Sequence, residues 1–111
     1  MMMVLLDEPT LILFESPDEP PDWLEAVDVL NDEYRFCDDN GQRFVGVIVR
    51  RPGWLGPEDD YILRPEGAPD IANAIALVER AVMIEPNRWF ADVESLRRYL
   101  ADRRETGTSQ P

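Results

Sequence analysis

The sequence predicts an α+β fold, an antiparallel sheet of four to five strands packed by two C-terminal helices. Three observations carry this. Short runs rich in β-branched and aromatic residues, punctuated by turn residues, occupy much of the first 64 positions. Apolar residues then recur at helical spacing across residues 70–84. A second helical stripe follows Asp92, a residue suited to cap a helix start. The chain has 111 residues, enough for one domain over residues 1–104, with the polar ETGTSQP end, residues 105–111, reading as a flexible tail.

Residues 1–6 are apolar but short, lack a basic flank and run into Asp7 and Glu8, so no signal peptide is expected there. No apolar run approaches a membrane span, so a cytoplasmic location is expected. Residues 10–15 read as a strand, ended by the proline-rich loop SPDEPPD at 16–22. In the segment 23–30, Trp23, Leu24, Val27 and Leu30 would suit one face of a short helix. A strand turning at Asn31 and Asp32 is preferred, because it sets Val29 opposite Tyr34 and Val27 opposite Phe36.

A second turn at Asn40 and Gly41 continues this into a meander over about residues 23–49. It sets Phe36 opposite Val45, Tyr34 opposite Val47, Cys37 opposite Phe44 and Asp38 opposite Arg43. Val27, Val29, Tyr34, Phe36, Val45 and Val47 then form the face beneath a helix. Asp28 and Arg35 pair on the second face, where Leu24, Ala26, Cys37, Phe44 and Ile48 leave too much apolar surface for plain solvent. Either the N-terminal segment or a second molecule should cover it.

Residues 50–60 (RRPGWLGPEDD) read as a loop, followed by a short strand near 60–64. Over 70–84, Ile71, Ala74, Ile75, Val78 and Val82 keep helical spacing, and Leu77, Ala81 and Ile84 widen the apolar surface. Only a narrow stripe at Asn73, Ala76 and Arg80, with Glu79 beside it, suits water. Pro86 stops the helix. The last helix, about 92–103, places Val93, Leu96, Tyr99 and Leu100 on one side. Arg97, Arg98, Arg103 and Arg104 lie toward its C-terminal end, where the helix dipole favours them.

The net charge is -12, distributed unevenly: through Asp39 there are twelve acids against Arg35 alone, whereas the remainder holds eleven acids and ten arginines. Such a field repels nucleic acid and anionic membrane and attracts cationic proteins, although solubility alone also explains it. There is no histidine, hence no imidazole base, shuttle or ligand. The single cysteine, Cys37, forms no internal disulfide and reads as a packed thiol, not a nucleophile. The run Asp38, Asp39, Asn40, Gly41 invites a calcium reading. It fails because Val47 stands where the closing bidentate acid of an EF-hand loop belongs, and a turn explains the run. Glu58, Asp59 and Asp60, like Asp18 and Glu19, read as solvated rims and not as acid/base pairs, which would need a cleft. No phosphate-binding glycine loop, nucleophile elbow or Cys/His metal pattern occurs, so neither cofactor, metal nor catalysis is expected.

Trp54 and Leu55, set among turn residues beside Glu58, Asp59 and Asp60, have the make-up of a partner hot spot. The simpler reading folds Trp54 back over the sheet's edge. The expected role is a protein-binding module that masks a basic partner such as a nuclease, as an inhibitor or immunity-type protein would. Asp18, Glu19, Asp22, Trp54, Leu55, Glu58, Asp59 and Asp60 are its candidate contacts. The chain resembles bacterial toxin-neutralising proteins in size, charge and α+β make-up, without a shared motif. The alternatives are a structural or regulatory homodimer joined through the second face, and a small enzyme working with carboxylates alone.

Overall fold

The computed structural model describes residues 1–6, 9–24 and 34–108. Among the described residues the fold is α+β: one mixed, mostly antiparallel six-stranded sheet with two helices beyond a short helical turn, a larger sheet than the sequence predicts. The strands are β1 (Met2–Leu5), β2 (Thr10–Phe14), β3 (Arg35–Asp38), β4 (Arg43–Gly53), β5 (Gly56–Glu66) and β6 (Met83–Ile84), ordered β5-β4-β3-β1-β2-β6. A helical turn, α1 (Pro20–Trp23), precedes the helices α2 (Ile71–Glu79) and α3 (Val93–Thr108).

The short apolar start of the chain is a central strand, not a cover. β1 lies antiparallel between β2 and β3, with Met3 opposite Leu13 on one side and Cys37 on the other. All four of its residues are buried, which is how an uninterrupted apolar run behaves when both faces of a sheet are covered. The first arm of the expected meander, residues 25–33, lies outside the described residues. The ladder position beside β3 is filled by β1, and Trp23 closes α1 and does not open a strand.

The β3–β4 turn is longer by one residue than a two-residue Asn40–Gly41 turn. Phe36 faces Phe44 and Cys37 faces Arg43, whereas the sequence pairs Phe36 with Val45 and Cys37 with Phe44. Asp38 Oδ1 accepts from the backbone N–H groups of Asn40 and Gln42, each at 2.9 Å, and Asp38 N–H donates to Gln42 O at 2.9 Å. The loop thus comprises Asp39, Asn40 and Gly41, with Gly41 in the left-handed region at φ 84°. Asp38 therefore serves the turn and does not pair with Arg43.

A one-residue register change transfers the partner's side chains to the other face. Cys37 lies under the helices with Met3, Leu5, Leu11, Leu13, Ala74, Leu77, Val78, Leu96 and Leu100. Phe36 belongs to the second face with Met2, Val4, Phe14 and Tyr61, against which Leu24, Tyr34, Phe44 and Leu63 pack. This assignment reverses the sequence expectation. Met2, Val4, Phe14, Phe36 and Tyr61 are buried there within one chain, whereas Leu24 and Phe44 are partly buried and Ile48 is 52% exposed.

Helix α2 is shorter than the 70–84 stripe. Asp70 caps its start by accepting from Ala72 N–H at 3.0 Å, and it ends at Arg80. The chain then moves to the edge of β2. Val82 N–H donates to Pro9 O (2.7 Å) and Glu85 N–H to Leu11 O (2.8 Å), forming parallel β6. Carbonyls along that edge replace helix bonds, and Val82 and Met83 turn to solvent. The Arg97 guanidinium donates to Ala81 O (3.0 Å) and Glu79 O (3.4 Å), satisfying carbonyls where the helix stops.

Asp92 caps α3 as read, accepting from Ser95 N–H and Oγ, each at 2.7 Å, and these bonds hold its carboxyl below the usual range. The helix continues to Thr108, past its expected end at residue 103. Asp39 anchors it to the β3–β4 loop. Its carboxylate accepts from Tyr99 Oη (2.9 Å), Arg103 Nη1 (2.8 Å) and the amino group of Met1 (3.2 Å), and Arg103 also donates to Asp39 O and Asn40 Oδ1. Burial alone would raise the Asp39 pKa. The Tyr99 and amino-group hydrogen bonds and the adjacent positive charges outweigh it and bring it below the usual carboxylate value. No helix among the described residues is long and apolar enough to cross a membrane.

Candidate functional site

Residues 50–60 are the end of a hairpin, not a loop. β4 and β5 pair antiparallel from Arg43 opposite Glu66 to Gly53 opposite Gly56, with Trp54 and Leu55 as the turn. Val47 opposite Ile62 and Ile48 opposite Tyr61 supply the β-branched and aromatic pairs that favour such a ribbon, and Val45 and Val49, opposite Arg64 and Asp60, add β-branched strand formers. Among the described residues, β4 pairs with β3 only through Phe44 and Arg43. Beyond them, among the described residues, the ribbon is an arm of two strands, rooted by Tyr61, which is fully buried in the second-face core.

Trp54 and Leu55 are 95% and 93% exposed. Trp54 does not fold back over the sheet's edge. Gly56, at φ 123°, takes the backbone conformation that closes the turn with both side chains outward.

Below the tip, Arg50 Nε meets Asp59 Oδ1 at 3.1 Å and Arg51 Nε meets Asp60 Oδ2 at 2.9 Å. Strand alternation puts these pairs on opposite sides of the ribbon. Glu58 lies across Gly53, where a Cβ would collide with its side chain. The acids at 58–60 are thus strand residues, and two of them are matched by arginines. As exposed pairs these contribute about 0–1 kcal/mol each, but they leave the ribbon's flanks nearly neutral.

The structure gathers Trp54, Leu55, Glu58, Asp59 and Asp60 on this ribbon. Of the other candidates, Asp18 is exposed in the turn after β2 and Glu19 precedes α1, its carboxylate accepting from Glu15 N–H at 3.3 Å. Asp22 falls within α1, which lies against β5. Among the described residues no cluster of three or more Cys, Asp or Glu side chains is placed to hold a metal ion. Cys37 is buried and unpaired with any other cysteine. Burial, then the charge of Asp38, pushes its thiol up to about 12, so it remains protonated at neutral pH.

Sequence reasoning missed a groove of about 430 Å³ between β3–β4 and α2. Arg35, Arg43, Asn73 and Arg80 enter it above an apolar wall that includes Cys37, Val45 and Leu77. The available signal was the polar stripe at Asn73, Ala76 and Arg80, read only as a solvent face. No family model matches the chain, and neither the curated proteins nor the solved structures provide a match to it.

Proposed function

We propose that this chain is a protein-binding module that recognises an electropositive partner by inserting the tip of the β4–β5 arm. The supporting observation is the nearly complete exposure of Trp54 and Leu55 at the end of a rooted ribbon. A tryptophan held out by a turn does nothing for the core, and large aromatics in such positions are typical anchors of protein interfaces. The net charge of -12 supports a cationic partner, because it accelerates encounter with a positive surface. An inhibitor or immunity-type protein masking a nuclease fits this combination, since a nuclease groove is itself electropositive. Asp18, Glu19 and Asp22 would add to the acidic field of the front of the chain, and Trp54 and Leu55 would supply the anchor.

The test is capture from the source cell with the wild-type chain and with Trp54→Ala/Leu55→Ala, followed by kinetics on the captured protein. The double variant should release a basic partner at least about tenfold faster, while added salt slows association. Capture of the same protein equally well by both forms, or salt-independent association, would overturn the reading.

A further inference from the structure

We propose that the groove between β3–β4 and α2 binds a small organic anion, an oxyanion head held by Arg43 and Arg80 with its apolar body against Val45, Ala76 and Leu77. Its volume, about 430 Å³, falls within the range of small-molecule sites. Among the described residues Arg43 and Arg80 line it with one acid, Glu66, in a chain whose net charge is -12; Arg35, also in the lining, is engaged in an interaction of its own. Among the described residues its lining is thus richer in arginine than in acid, against the composition of the chain.

The position of Arg43 carries the inference. Glu66 is its direct cross-strand neighbour, and an ion pair between them would be the ordinary arrangement. Instead Arg43 Nη2 donates to Asn73 Oδ1 at 2.8 Å, across to α2. Asn73 is fixed in turn, because its Nδ2 donates to Gly41 O at 3.1 Å. The amide thus presents only its oxygen, and the guanidinium is drawn to the groove with the rest of its donor fork unused among the described residues. Arg80 stands two turns along α2 from Asn73, on the same stripe, and forms no ion pair among the described residues. The helix C-terminus accounts for a cation at Arg80, but not for Arg43 turning away from a carboxylate. Guanidinium forks oriented by neighbouring side chains suit the paired oxygens of a phosphate or carboxylate. The inference is independent of the arm and its partner.

Amide NMR titration of the full chain with phenyl phosphate, benzoate and inorganic phosphate tests it. Saturable shifts are expected at residues 35–37, 43–45 and 73–80 with at least one of the two aromatic anions, and the tighter of the two identifies the head group. Inorganic phosphate should bind more weakly than phenyl phosphate, lacking the apolar body. Arg43→Gln and Arg80→Gln should each weaken binding about tenfold, as expected for loss of one charge-assisted contact. Arg98→Gln, a change of equal charge on α3, should leave it unaltered. Unchanged spectra outside the groove establish that each variant is folded. Absence of saturable shifts with both aromatic anions, inorganic phosphate binding as tightly as phenyl phosphate, undiminished binding in Arg43→Gln, or an equal loss in Arg98→Gln would overturn the proposal.

Discussion

Removing the Asp39 carboxylate should detach α3 from the β3–β4 loop, and the cost can be worked from its contacts. Asp39→Ala deletes hydrogen bonds made to an ionised carboxylate by Tyr99, Arg103 and the amino group of Met1, each about 1.5–3 kcal/mol. The Arg103 side chain is 34% exposed, so once released it rehydrates, and the lower end of that range applies. With all three donors at that lower end, the expected loss is about 4 kcal/mol. Arg103→Ala, which leaves the Tyr99 bond, should cost about 2 kcal/mol, and a double-mutant cycle should return a coupling of about 1–1.5 kcal/mol. The pH dependence has a definite sign. The folded-state pKa of Asp39 is depressed, so its contribution is present above the unfolded value near 3.9 and is lost as pH falls through the folded one. Urea unfolding followed by circular dichroism should show wild type well above Asp39→Asn at pH 7, with the gap narrowing near pH 3. A coupling below about 0.3 kcal/mol, or a gap independent of pH, would refute the anchoring role.

Three further outcomes follow from single positions. Gly41→Ala should destabilise by more than about 2 kcal/mol in chemical denaturation, because φ is 84° and the new Cβ would meet the Asp70 backbone. Arg97→Met keeps the aliphatic stem but removes donors to Glu79 O and Ala81 O. It should cost about 1–2 kcal/mol and speed amide exchange at the end of α2. Cys37 should resist a disulfide reagent at pH 8 until denaturant is added. Its folded-state pKa is raised to about 12, so its contribution to stability is complete below about pH 8.5 and is lost as pH rises from there toward 12.

The helices were legible in the sequence because capping and 3.6-residue spacing are local. Asp92 and the Leu96 and Leu100 stripe fixed α3 without tertiary information. The strands were legible in position but less so in partner. Phe36 and Cys37 are both compatible with a core, so pairing depended on the turn, and the loop of Asp39, Asn40 and Gly41 is one residue longer than the simplest Asn-Gly hairpin. The extra residue has a tertiary cause: the Asp39 carboxylate is drawn to Tyr99 and Arg103, sixty and sixty-four positions away. The same nonlocality hid β1, whose short run becomes a strand only between β2 and β3, and β6, which exists because the edge of β2 offers carbonyls. The arm was hidden by its prolines. Pro52 and Pro57 face each other next to the turn, and only the long register below them makes the segment a ribbon.

The energetics of the arm constrain the complex it would form. Burying Leu55 is worth about 1.5–3 kcal/mol and Trp54 somewhat more, so the tip offers about 4–7 kcal/mol. Association costs about 4 kcal/mol at the least and commonly more, so the tip alone gives at best a marginal complex. Screening confines the acidic field to about 8 Å at physiological salt, and such fields raise the association rate more than they slow release. Neither source provides a long-lived complex. The remainder must come from the ribbon's flank, where Ile48 is 52% exposed and the Arg50–Asp59 and Arg51–Asp60 pairs lie already formed. Arginines neutralised within the arm do not repel a cationic surface, and side chains held in pairs have less freedom to lose on contact. A partner that accepts Trp54 would therefore have a slot long enough to take the strands behind it, not merely a socket for one ring.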